Sequence, residues 1–108
     1  MMRVGRGKSL QILSGDEEIF DHVSEPGPMW DEDGNRNIKV RVEFSNRFAS
    51  APVVNAGFSL LDVSKDNNLR VWLRLLNIDA SGFDALVLSW DDTRLAKVRV
   101  AWIAIGEV

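Results

Sequence analysis

Arg70, Trp72 and Arg74 alternate along the run Asn67 to Ile78, and their types suit recognition. At period two they share a face with Leu76, while Leu69, Val71, Leu73 and Leu75 take the other. The leucine and valine set is an ordinary core face. The other presents an indole between two guanidiniums, where the ring can hold a cation and the forks can bind an acceptor. Other reactive side chains are sparse. His22 is the only histidine and there is no cysteine, which removes disulfides, thiolate chemistry and Cys-type zinc sites. A Ser-His-Asp triad or histidine-rich metal site would have to be built on His22, which stands in a polar segment and reads as a surface residue. A glycosidase needs two carboxylates about 5 to 9.5 Å apart, one of them acting as proton donor. Asp91 and Asp92 are adjacent in sequence and no apolar-walled acid accompanies them, so the chain reads as a binding protein and not an enzyme.

Strands must position these residues. Ile38 to Phe44 alternates cleanly, with Ile38, Val40, Val42 and Phe44 inward and Lys39, Arg41 and Glu43 outward. Val53 to Val63 follows, with Val54, Ala56, Phe58 and Leu60 on one face and Gly57 marking a bulge or a close backbone approach. Phe48, in the connection before it, is expected to tuck under the sheet. The polar turn Ser64-Lys65-Asp66-Asn67 would join Val53–Val63 to the Arg70–Trp72–Arg74 strand as an antiparallel hairpin. Asp79-Ala80-Ser81-Gly82 turns the chain into Phe83 to Trp90, where Leu86, Leu88 and Trp90 share a face. After Asp91-Asp92-Thr93, Leu95 to Ile105 closes the domain, with Val98, Val100 and Trp102 on one face and Lys97 and Arg99 on the other. Beyond Ala101 both faces turn apolar, as in a strand that ends under another layer or at a subunit contact.

The amino-terminal third is less regular. Ser9 to Leu13 reads as a short strand at a sheet edge, ended by the turn signal Ser14-Gly15-Asp16. From Asp16 to Asn37 no period survives, and Pro26, Gly27, Pro28 and Gly34 interrupt the backbone. A loop of about 20 residues in so small a domain is usually functional or disordered, and Trp30 argues for order because a large aromatic packs on something. The acidic excess lies here: residues 1 to 37 hold eight acids and four bases, the remainder eight acids and nine bases. Six strands at short spacing with polar turns and no helical window give an all-β sandwich. The expected layout is a single domain over 1–108, with a strand and irregular acidic loop over 1–37 and the sandwich core over 38–108.

A length of 108 residues supports one core. The net charge of −3 argues against nucleic acid as the main partner. No apolar run approaches 18 residues, so no membrane insertion is expected. The start Met-Met-Arg-Val-Gly-Arg-Gly-Lys has charge but no apolar segment behind it, hence no visible signal peptide. Cytoplasmic location or non-classical secretion is the expectation.

The ordered set Phe44, Pro52-Val53-Val54, Leu61-Asp62-Val63, Asn68-Leu69-Arg70-Val71, Gly82-Phe83, Trp90, Thr93 and Ala101-Trp102-Ile103-Ala104-Ile105 resembles the H-type lectin domain family, which includes snail agglutinins and the carboxyl-terminal domain of the discoidins. The match runs from about residue 31 to 105, and residues 1 to 30 match poorly. The resemblance implies a six-stranded antiparallel β-sandwich of two three-stranded sheets, assembled as a parallel homotrimer. It also implies glycan partners, typically terminal galactose or N-acetylgalactosamine held at clefts between subunits, and roles in cell adhesion.

By the same resemblance the carbohydrate-contacting positions fall on Asp33, Arg70, Trp90 and Asp91. Asp33 would accept from sugar hydroxyls, Arg70 would donate, and Trp90 would offer a π face to sugar C–H groups. Asp91 departs from the family's histidine. An ionised aspartate accepts and cannot donate, and three copies near a three-fold axis would repel unless a cation or a proton relieves them. Ca2+ at Asp91 is therefore a candidate, preferred to zinc because only carboxylate oxygens are offered; no cofactor is otherwise required. The family's disulfides are missing.

Plainer readings stand beside these. Arg74 pairs structurally, Trp72 serves an interface, Trp102 is core, and Asp92 shapes a turn through Asx-type bonds. An alternative function is a structural trimerisation domain, part of a fibre or adhesin, whose sugar site is altered or lost.

Overall fold

The computed structural model describes residues 9–108. The basic octapeptide that bears on a signal peptide lies outside the described residues. The elements are β1 (Leu10–Asp21), α1 (Pro28–Asp31), β2 (Arg36–Glu43), β3 (Val53–Val63), β4 (Val71–Asp79), β5 (Gly82–Ser89) and β6 (Leu95–Glu107). They form two antiparallel three-stranded sheets, ordered β1-β6-β3 and β2-β5-β4. The all-β sandwich with two three-stranded sheets is thus as expected, with β1 at an edge.

The inward residues of the two sheets meet in one core. Phe83, Ala85 and Val87 of β5 and Val98, Val100 and Ala104 of β6 are fully buried, following the strand period of two. Four aromatics seal one part of it: Phe44, Phe48, Phe83 and Trp102 contact one another with centroids 5.1 to 5.9 Å apart, mostly tilted or edge-on, as ring quadrupoles favour. Phe48 does tuck under the sheet, at 2% exposed, a burial that contributes roughly 1.5–3 kcal/mol. Trp102 keeps its polar edge satisfied, its indole N–H donating to Glu17 Oε1 at 3.2 Å.

Several expectations are corrected. Ser14-Gly15-Asp16 is not a turn; β1 runs through it to Asp21, in register with β6. Gly15 stands opposite Trp102, and a Cβ there would lie 2.8 Å from three ring atoms, so the glycine makes room for an indole instead of turning the chain. The irregular stretch 16–37 is accordingly shorter and holds the four-residue helix α1, opened by Pro28. In that helix Met29 packs at 0% exposure while Trp30 stays exposed, reversing the expectation that Trp30 would be the anchor.

β3 and β4 are not a hairpin, since they belong to different sheets. The segment 64–70 crosses from one layer to the other, and Leu69, expected inward, lies on that crossing and is exposed. A Cβ added at Gly57 would meet nothing within 4 Å, so no close approach explains the glycine. The bulge of β3 falls between Phe58 and Leu60, and it exchanges faces: Leu61 and Val63 pack on the core and Leu60 is exposed. His22 is half-buried and not superficial, its ring stacked on Phe20 at 4.5 Å with Nδ1 3.2 Å from the Glu25 carbonyl.

Candidate functional site

Three connections converge beyond the Ser89 end of β5: α1 to β2 (32–35), β3 to β4 (64–70) and β5 to β6 (90–94). Arg36 and Thr93 fasten them together. Arg36 opens β2 on the inward face and is 6% exposed. Its guanidinium donates to the carbonyls of Gly34 (2.8 Å), Pro28 (3.4 Å), Met29 (3.2 Å), Thr93 (2.7 Å) and Asp91 (3.3 Å). Only a planar fork with five N–H groups can address so many acceptors at once. Burial pushes its pKa down, as does neighbouring Arg94, with Asp33, Glu32 and Asp92 pulling the other way.

Thr93 is 1% exposed and works through its hydroxyl. Oγ1 accepts the Arg70 backbone N–H at 2.8 Å and donates to the Asn68 carbonyl at 2.6 Å, while Ser89 Oγ donates to the Arg70 carbonyl at 2.8 Å. Both backbone polar groups of Arg70 are thereby fixed. Asp92 adds a second tie. Its carboxylate accepts from Asn67 Nδ2 at 3.4 Å and from the backbone and side chain of Asn68 at 3.3 and 3.2 Å. Burial pushes the Asp92 carboxyl up, but the bonds from Asn67 and Asn68 outweigh it and leave the pKa below its ordinary value. The Asx-type turn expected of Asp92 is replaced by these bonds to the crossing segment, 24 to 25 positions away.

The Asp33 loop meets the Trp90–Asp91 turn through one bond, Gly34 N–H to the Asp91 carbonyl at 2.9 Å. Gly34 (φ 80°) and Asp91 (φ 62°) are both left-handed, a conformation glycine adopts freely and aspartate tolerates. Asp33, Arg70, Trp90 and Asp91, distant in sequence, therefore stand on connections that share bonds at one end of the sandwich.

Their side chains are not equally free. Asp33 Oδ1 is ion-paired with Arg94 Nη2 at 2.6 Å, and Arg94 Nη1 also donates to the Glu32 carbonyl at 2.9 Å. The Arg70 guanidinium and the Asp91 carboxylate are exposed and without a hydrogen-bond or ion-pair partner among the described residues, and the Trp90 indole is exposed. Among the described residues no group of three or more His, Cys, Asp or Glu side chains could hold a metal ion. A cation at Asp91 would need donors beyond such a group.

Trp72 and Arg74 follow Arg70 on the outward face of β4, opposite Leu88 and Leu86. Arg74 sits over the Trp72 ring at 4.8 Å, the cation–π contact expected of their spacing. Sequence reasoning missed Arg36 and the bridging role of Thr93. A signal for Arg36 existed, because the inward parity of Ile38, Val40 and Val42 extends back to residue 36.

Comparison with known proteins agrees with this architecture. The chain is 34% identical over 108 residues to "ATP synthase subunits region ORF 7" of Fuscovulum blasticum, covering 100% of this chain and 92% of that protein. It is 31% identical over 72 residues to a discoidin-1 polypeptide of Dictyostelium discoideum, covering 66% of this chain and 28% of that protein. Wild-type discoidin II from the same organism superposes with a TM-score of 0.79 at 22% identity, over 93% of this chain and 38% of that one. The chain thus spans well under half of either discoidin. The H-type lectin domain model matches residues 39–105, and with it the chain belongs to the H-type lectin domain family, which supports a carbohydrate-binding role in general terms.

Proposed function

We propose that the protein is a non-enzymatic lectin for terminal galactose or N-acetylgalactosamine, assembled as a parallel homotrimer with its sugar sites in the clefts between subunits. One observation carries the reading: Arg70 and Asp91 present charged ends unpartnered among the described residues, beside an exposed Trp90, on backbone fixed by Thr93 and Arg36. A free donor, a free acceptor and an apolar plate on a rigid frame are what a sugar's hydroxyls and C–H face require. Asp33 contributes an acceptor already aimed by Arg94. Three weak sites acting together gain avidity, by factors of about 100 to 10,000 where geometry permits, which suits glycoconjugates on a cell surface and adhesion. Calcium shared among Asp91 carboxylates of three subunits would relieve their repulsion.

A glycan-array screen of the purified protein, with and without calcium and beside Arg70→Ala, tests this. Binding confined to galactose-type termini and lost in the variant is expected. The second reading, a structural trimerisation domain, is favoured by the 2.6 Å Asp33–Arg94 pair, which occupies a carboxylate the sugar would need. A trimer that binds no glycan on the array would establish that reading instead.

A further inference from the structure

We propose that Trp30 is a second sugar platform, so that the ligand is an oligosaccharide whose terminal residue meets Trp90 and whose next residue meets Trp30. The inference rests on the sugar-binding reading above and extends it beyond one sugar. Two exposed indoles stand on the connections at this end of the molecule, Trp30 and Trp90, each at 39%, while the third, Trp72, stands on β4 opposite Leu88. Their mounts are shared. Trp30 follows Met29, whose carbonyl accepts from Arg36 Nη1 at 3.2 Å, and Trp90 precedes Asp91, whose carbonyl accepts from Arg36 Nη2 at 3.3 Å. Two exposed indoles are thus each one residue from a carbonyl held by the same guanidinium.

The mount of Trp30 is rigid for reasons independent of any ligand. Met29 anchors α1 at 0% exposure, Pro28 fixes the first turn, and the Trp30 backbone N–H donates to the Gly27 carbonyl at 3.2 Å. The strap continues to Asp33, three residues on, where Arg94 clamps both the Glu32 carbonyl and the Asp33 carboxylate. Among the described residues the Trp30 ring has no aromatic or cation–π partner and its indole N–H no acceptor. A large amphipathic side chain with only two torsions, carried on a fixed backbone, loses little further freedom when it binds, which favours affinity. Its apolar face and polar edge match a pyranose with C–H groups on one side and hydroxyls around the rim.

The test is calorimetry on the intact protein with matched ligands: methyl β-galactoside and methyl β-N-acetylgalactosaminide, each against the disaccharide in which the same sugar is β1,4-linked to N-acetylglucosamine. The disaccharide is expected to bind about three- to tenfold more tightly, the scale of one aromatic contact. Trp30→Ala should erase that gain and leave the monosaccharide constant unchanged, and Trp30→Phe should restore most of it. Equal affinities for the two ligand sizes in the wild type, or an equal loss for both in Trp30→Ala, would overturn the platform while leaving the lectin reading intact. Disruption of the protein's oligomeric state by Trp30→Ala would overturn it too, by assigning the indole to a subunit contact. Binding of none of the four ligands by the wild type would overturn the lectin reading and the platform together.

Discussion

Arg36 Nη1 lies 2.7 Å from the carbonyl of Thr93, fifty-seven positions further along the chain, and the contact is buried. The start of β2 is thereby closed onto the entry to β6 with no carboxylate between them. A buried charge hydrogen-bonded to carbonyls and to no carboxylate depends on having several of them, which is why one guanidinium serves five.

Replacing Arg36 by methionine removes all five donors from a buried spot. A destabilisation of about 2–4 kcal/mol is expected, since bonds to charged groups contribute about 1.5–3 kcal/mol and buried carbonyls are left bare. Arg36→Lys should recover only part of it, because an ammonium has three donors and no planar fork. Urea denaturation of the three proteins measures both effects.

Thr93→Val keeps the shape and deletes the hydroxyl. The Arg70 N–H and the Asn68 carbonyl then lose their partner, at a cost of about 1–3 kcal/mol. Sugar affinity should fall with it, because the Arg70 backbone then keeps only its bond from Ser89. Lys65→Ser, on the exposed turn of the same crossing segment, serves as the control and should leave both quantities unchanged. Melting curves and glycan titration read the two outcomes.

Acid sensitivity should have one contribution from Asp79. Hydrogen bonds from the Ser81 side chain and backbone, together with the Arg41 guanidinium, hold its carboxyl down to about 2. A folded pKa below the unfolded value of about 3.9 means the stabilisation is present above that value and lost as pH falls toward 2. Asp79→Asn should therefore lower stability at neutral pH and show a shallower decline between about pH 4 and 2. A denaturation series across that window, with unchanged slope in the variant, would count against the assignment.

Two glycines should respond in opposite ways to alanine. Gly15→Ala forces a methyl to within 2.8 Å of the Trp102 ring, and overpacking of this kind costs about 1–3 kcal/mol. Gly57→Ala meets nothing within 4 Å and restricts the unfolded chain, a gain of about 0.4–1 kcal/mol. Paired denaturation curves settle the contrast.

The strands that alternate can be read directly from the sequence. Val40 and Val42, and Val98 and Val100, announce their burial by period alone, and both pairs pack as expected. Partnership is not legible, because period two names a face and never a neighbour; hence β3 and β4, adjacent in sequence, look like a hairpin although the chain changes sheet between them. Gly15 shows a different limit: a glycine beside serine and aspartate signals a turn, and only the position of Trp102 reveals that it is making room. The four site positions come from likeness to a family, and their convergence depends on Arg36, two of whose partners lie 55 and 57 positions away, and on Thr93, whose hydroxyl partners lie 23 and 25 positions away.

The place of β6 in its sheet has a consequence for how the chain acquires its shape. β1 and β3 each pair with β6 and not with one another, whereas β2, β4 and β5 are complete by Ser89. During synthesis the second sheet can close while two long strands still wait for the last thirteen-residue segment to emerge. Folding is thereby weighted toward late, long-range pairing and should be slow for a domain of this size. A chain stopped before Leu95 would keep one sheet and carry two unsatisfied strands, the kind of surface that seeds aggregation.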